Sequence, residues 1–140
     1  MQREKEFLAG LLLEQFWSGK FHNYTLIQDH LGRPHLLVDG RPGPSISFSW
    51  GAGRLYAASG PDQSWIGLDA ASPEEFTGAY PYGRVFNLEE WQTSLVRTGG
   101  NPEEAAALLW SVKEAAVKAQ GWGFRFFGPR RLRVEFIGLG

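Results

Sequence analysis

An acid and a base share one edge of a helical stretch near the C-terminus. Within residues 101–121, NPEEAAALLWSVKEAAVKAQG, the side chains of Trp110, Glu114 and Lys118 fall at successive i, i+4 positions on one flank. A carboxylate and an ammonium at the rim of a buried face are the raw material of proton transfer and anion binding. A glutamate four residues before a lysine is also a common helix-stabilising pair, worth roughly 0.2–0.5 kcal/mol with no function attached. The spacing alone leaves both readings standing.

The element that positions these groups is marked at both ends. Asn101 suits the cap, Pro102 the first helical position and Gly121 the C-terminal stop, while Glu104 follows the cap by three residues as in a capping box. Between the caps, Ala105, Leu108, Leu109, Val112, Ala116 and Ala119 recur at spacings of three and four. This predicts an apolar stripe laid against a core.

The string Trp110-Ser111-Val112-Lys113-Glu114-Ala115-Ala116-Val117-Lys118 resembles the W-x-x-K-E-A-x-x-K signature of the 4′-phosphopantetheinyl transferase superfamily. Upstream, Trp65-Ile66-Gly67-Leu68-Asp69-Ala70-Ala71 is similar to that family's G-x-D-x-E strand motif, with Ala71 where the last acid would stand. Gly32-Arg33-Pro34, followed by Ser49-Trp50-Gly51 and Leu55-Tyr56-Ala57, resembles the glycine–basic–proline turn and the Ser-His strand of the two-halved members. Trp50 replaces the histidine there. Phe86 to Glu90 is similar to the F-x-x-x-E segment that precedes the signature helix.

The resemblance implies an α+β fold of the holo-acyl-carrier-protein synthase kind, with antiparallel strands packed on a long central helix. It also implies a reaction: magnesium-dependent transfer of the 4′-phosphopantetheine arm from coenzyme A to a serine of an acyl or peptidyl carrier protein, with 3′,5′-ADP leaving. Such chemistry serves fatty acid or polyketide biosynthesis. By the same resemblance Asp69 and Glu114 hold Mg2+, and Glu114 also accepts the serine proton. Lys113 and Lys118 bind phosphate oxygens, Arg33 lies near the nucleotide end, and Ser49 is a further coenzyme A-binding residue. A homologue that binds coenzyme A or a carrier without turnover is the first rival, because Ala71 and Trp50 depart from the pattern, and a nucleic-acid or small-ligand binding module using the arginine-rich C-terminal strands is the second.

Composition bounds what else the chain could be. Its 140 residues are one domain's worth, and 14 basic residues against 15 acidic ones give no bulk charge that points to DNA or an anionic membrane. The absence of cysteine removes thiol nucleophiles, thiolate zinc sites and disulfides, and is compatible with a reducing cytosol. No apolar run reaches the length of a membrane span, so a cytoplasmic protein is expected. The three histidines, His22, His30 and His35, lack metal-ligand spacing. Arginines at 125, 130, 131 and 133, interleaved with Phe124, Phe126 and Phe127, suit a solvated sheet face or a nucleic-acid-binding strand. RNA-binding folds need aromatics on a paired outer sheet, and nothing else here supports one, so no nucleic-acid partner is expected.

The remaining elements follow from periodicity. Phe7, Leu8, Leu11, Leu12 and Phe16 predict a helix ending at Gly19. Residues 24–28 and 35–39 predict a hairpin, and 45–50 alternates Ser45, Ser47 and Ser49 with Ile46, Phe48 and Trp50 as a half-polar strand. A second strand follows at 54–59 and a third at 65–70, carrying Asp69. Residues 72–83 predict loop or a helical turn, broken at Pro81-Tyr82-Gly83, and 86–97 a helix. Residues 123–127 and 131–137 predict strands. The whole reads as a single domain, 1–140, with a first half over 1–62 and a metal-site half over 63–140.

Overall fold

The computed structural model describes residues 1–121 and 128–138. In chain order these form α1 (Gln2–Phe16), β1 (Tyr24–Gln28), β2 (Pro34–Val38), β3 (Arg41–Pro42), β4 (Pro44–Gly51), β5 (Arg54–Asp62), α2 (Tyr82–Val85), α3 (Leu88–Arg97) and α4 (Pro102–Ala119), with 3-10 turns at Pro73–Phe76 and Pro129–Arg131. The fold is α+β. The strand expected over 123–127 lies outside the described residues.

Strands β1, β2 and β3 form one antiparallel sheet in that order, and β4 pairs antiparallel with β5. Buried apolar side chains gather in two places. Ala9 and Leu13 of α1 close over Leu26, Leu36, Ile46 and Phe48 of the sheets. Phe76, Phe86, Ala106, Leu109 and Val134 form a second cluster around α4. The strands were expected to pack on the long helix; their core is instead completed by α1, while α4 packs chiefly on α3 and the Pro73–Phe76 turn.

The buried line along α4 is also rotated from the expected stripe. Ala105 and Leu109 are buried as expected, but Val112 is 40% exposed and the line continues through Lys113 and Val117. A lysine takes an interior position because an acid from α3 meets it there, a pairing that no periodicity within α4 contains. At the helix start Asn101 accepts from Glu104 N at 3.1 Å, as a cap should, but Asn101 N donates to Thr98 O at 3.3 Å rather than to the Glu104 carboxylate. The carboxylate half of a capping box does form at Ser72, whose N donates to Glu75 Oε2 at 2.6 Å, and at Asn87, whose N donates to Glu90 Oε1 at 2.8 Å. The expected break at 81–83 is a one-turn helix, α2.

Two expected strands have no ladder. Residues 64–70 run beside β4, yet the bonds go to serine hydroxyls: Ser45 Oγ donates to Ser64 O (2.5 Å), Leu68 N to Ser47 Oγ (3.0 Å) and Ala70 N to Ser49 Oγ (3.0 Å). Ser47 and Ser49 are buried under this segment. The polar face of β4 is thus a row of side-chain clasps. Residues 131–137 show the expected alternation in burial, with Val134 inward and Arg131, Arg133 and Glu135 outward. Among the described residues their backbone is tied to side chains rather than to a neighbouring strand, since Val134 N donates to Glu90 Oε2 at 2.8 Å and Leu132 O accepts from Lys113 Nζ at 2.5 Å.

Candidate active site

The segment carrying Asp69 meets α4 at Gly67. A methyl group there would collide with Ala115 O and stand 2.7 Å from Ala119 N, so only glycine lets the two backbones touch. This close approach brings Asp69 to Lys118 in the last turn of α4. Lys118 Nζ donates to Asp69 Oδ1 at 3.2 Å, to Leu68 O at 3.0 Å and to Phe48 O at 3.2 Å. One ammonium therefore joins α4, the Asp69 segment and β4. Ser49 Oγ, expected on a phosphate, lies beneath and donates to Asp69 Oδ1 at 3.3 Å. It is a support for Asp69: buried, and not on the cleft wall.

Glu114 sits one turn before Lys118 and is half-buried. Among the described residues it makes no hydrogen bond or ion pair. Burial pushes its carboxyl above the usual range, the nearby charge of Asp69 pushes the same way, and Lys118 opposes both. A half-buried carboxylate whose charge is opposed by burial and by Asp69, and which has no partner among the described residues, is what a divalent cation would relieve. Among the described residues no three histidine, aspartate or glutamate side chains gather in one place. A hard cation here would have two protein carboxylates and would draw its other ligands from phosphate and water. Ala71 joins the apolar cluster under α4, so the third position of its motif contributes packing and no oxygen.

Glu114 and Lys118 open on a cleft of about 310 Å3 whose other walls include Gln2 and Lys5 of α1, the Gly32-Arg33-Pro34 turn, Ser47, Phe48 and Gly121. Arg33 comes from the β1–β2 turn, with its side chain beside Gly121 at the end of α4. Asp69 is 12% exposed and stands behind Lys118, which is 33% exposed. Three cations of separate origin, Lys5, Arg33 and Lys118, thus face one cavity alongside Glu114. Lys5 had no signal in the sequence: it lies on a helix with no motif, and only tertiary packing aims it at the cleft. Trp50, at the position of the missing histidine, points away and donates from Nε1 to Met1 Sδ at 2.5 Å.

Lys113 is the clear correction. It was expected on phosphate oxygens, but both it and Glu90 are fully buried, 2.6 Å apart. Its other two hydrogen bonds go to Pro129 O (2.7 Å) and Leu132 O (2.5 Å). No proton is left for a ligand. Of the C-terminal arginines, Arg133 ion-pairs with Glu89 and Glu135, and 125 lies outside the described residues.

Three cations beside two acids are the chemistry that binding a polyanion such as a phosphate would need. A family model of the 4′-phosphopantetheinyl transferase superfamily matches residues 66–138, just over half of the chain, and covers both Asp69 and the Glu114 helix. The chain belongs to that superfamily. No curated protein and no solved structure matches it. No helix among the described residues is long and apolar enough to cross a membrane.

Proposed function

We propose that the protein transfers the 4′-phosphopantetheine arm of coenzyme A to a serine hydroxyl of an acyl or peptidyl carrier protein in the cytoplasm, in the manner of a holo-acyl-carrier-protein synthase. The observation that carries this reading is the Glu114 carboxylate, without a partner among the described residues, beside Asp69 and Lys118 on a cleft that Arg33 and Lys5 also line. The serine oxygen attacks the phosphorus that bears the pantetheine arm, the bridging P–O bond breaks, and 3′,5′-ADP leaves with the bonding electrons. Catalysis of such a step is mainly positioning and neutralisation of charge on phosphate oxygens.

Asp69 and Glu114 are the residues that would hold Mg2+. Bound there, the ion would neutralise phosphate charge as a Lewis acid. Lys118 adds positive charge at the inner wall while keeping Asp69 in place, and Arg33 with Lys5 serves the nucleotide end as cations of different shape. Glu114, whose carboxyl holds a proton more tightly than usual, accepts the serine proton. Residues 1–62 supply Lys5, Arg33 and the Ser47 and Ser49 clasps, and 63–140 supply the two acids. The chain works as one domain with two contributing halves.

Ala71 and Trp50 favour a second reading, a relative that binds coenzyme A or a carrier without turnover. Isothermal titration tests the binding that both readings share. Coenzyme A should bind in the micromolar range and more tightly with magnesium, and binding that ignores magnesium, or fails in the Glu114→Gln variant only through unfolding, would remove the metal from the proposal.

A further inference from the structure

The turn that brings Arg33 to the cleft is held by one carboxylate. Asp29 Oδ1 accepts from Leu31 N at 2.9 Å and from Arg33 N at 3.0 Å. Asp29 N donates to Arg33 O at 3.0 Å, and Asp29 O accepts from Gly32 N at 2.9 Å, with Gly32 at φ +83°. The remaining oxygen, Oδ2, is 2.9 Å from His35 Nε2 on β2. Both backbone polar groups of Arg33 are therefore fixed by the same residue. The Arg33 guanidinium is the opposite case: among the described residues it forms no ion pair, and it lies beside Gly121, on the wall shared by the main cleft and the hollow between β2 and Trp65. With no ion-pair partner among the described residues, the guanidinium starts from a Cα–Cβ direction that the turn sets.

We propose that Asp29 is a positioning residue for the nucleotide end of the substrate, acting solely through Arg33. This rests on the reading of the cleft as a coenzyme A site. Asp29 itself points into the turn and touches no ligand. Its two Oδ1 bonds set the Arg33 Cα–Cβ direction, and the His35 contact fixes the carboxylate plane. Losing the acceptor frees the turn, and the guanidinium must then be ordered at each binding event, which weakens binding without removing any ligand contact.

The test is isothermal titration of the full chain with 3′,5′-ADP, for the unaltered protein and for Asp29→Ala, Asp29→Asn, Arg33→Ala and the Asp29→Ala/Arg33→Ala double variant. Arg33→Ala should weaken binding about tenfold, the scale of a lost hydrogen bond to a charged group. Asp29→Ala should weaken it by about threefold to tenfold, and the double variant should be no weaker than Arg33→Ala alone. Asp29→Asn keeps an Oδ1 acceptor of the same shape and should bind within about twofold of the unaltered chain. The inference is overturned if Asp29→Ala binds as tightly as the unaltered protein, or if its loss recurs in full on the Arg33→Ala background. No 3′,5′-ADP binding by the unaltered protein would overturn the reading of the cleft itself and this inference with it.

Discussion

Lys113 Nζ and Glu90 Oε1 stand 2.6 Å apart with both side chains fully buried. Glu90 also accepts from Asn87 N at 2.8 Å and Val134 N at 2.8 Å, so it joins the start of α3, the middle of α4 and the C-terminal segment. The lysine beside the site acid is thus a beam under the site. Removing either partner leaves a buried charge uncompensated, and Glu90→Ala or Lys113→Ala should each cost about 3–5 kcal/mol of stability in urea unfolding. The Glu90→Leu/Lys113→Met double variant should recover most of that loss. A Lys113→Ala protein with normal stability and weakened coenzyme A binding would restore the ligand role that the geometry denies.

The contact at Gly67 governs how close Asp69 comes to α4. Gly67→Ala forces the 64–70 segment off the helix and should destabilise the protein by about 1–3 kcal/mol, as overpacking of a close contact does. Gly83→Ala is the matching control, since a methyl there meets nothing within 4 Å. It should be neutral or stabilising by up to about 1 kcal/mol. Thermal unfolding of the two variants decides.

Much of this architecture is written locally. The Asn101 cap of α4, the hairpin of β1 and β2 and the alternation of β4 each come from a few adjacent residues, and all were legible. What could not be read depends on distant partners. Nothing within residues 101–121 says that an acid 23 positions before Lys113 will sit beneath it. Likewise the alternation over 131–137 correctly sorted inside from outside, but a strand also needs a neighbour, and among the described residues side chains of Glu90 and Lys113 took that place. For the proposed site, the motifs pointed to Asp69, Glu114, Lys118 and Arg33, which the fold brings to or behind one cleft. They misassigned Ser49 and Lys113, whose roles depend on depth, and could not show Lys5.

Glu114 makes stability depend on pH in a definite sense. Because burial and Asp69 raise its folded carboxyl above the ordinary 4.5, the folded chain holds that proton more tightly than the unfolded one. Stability should therefore fall as pH rises from about the ordinary value through the raised one. Glu114→Gln removes the charge and should unfold at a higher temperature than the unaltered protein at neutral pH, while losing activity. Since the group is partly exposed, solvent screening keeps the gain small. A lower melting temperature at neutral pH for Glu114→Gln would contradict the assigned environment.

Asp29 shows the opposite sign. The His35 contact, with the backbone N–H groups of Arg33 and Leu31, holds its carboxyl at about 2, against an ordinary 3.8. Its contribution is fully present above the ordinary value and disappears as pH falls toward 2. Carboxyl-carbon NMR should place its titration near that lower value. In the Asp29→Asn protein this part of the acid destabilisation should vanish.

The measurement that bears most directly on the account is mass spectrometry of a panel of apo acyl and peptidyl carrier proteins incubated with this protein, coenzyme A and magnesium. A phosphopantetheine arm should appear on at least one carrier serine, and Asp69→Asn or Glu114→Gln should lower the rate by a factor of 100 or more, on the order of losing a general base or a charge-stabilising group. An unaltered protein that binds coenzyme A yet modifies no carrier, or acid variants that transfer as fast as the unaltered chain, would contradict it.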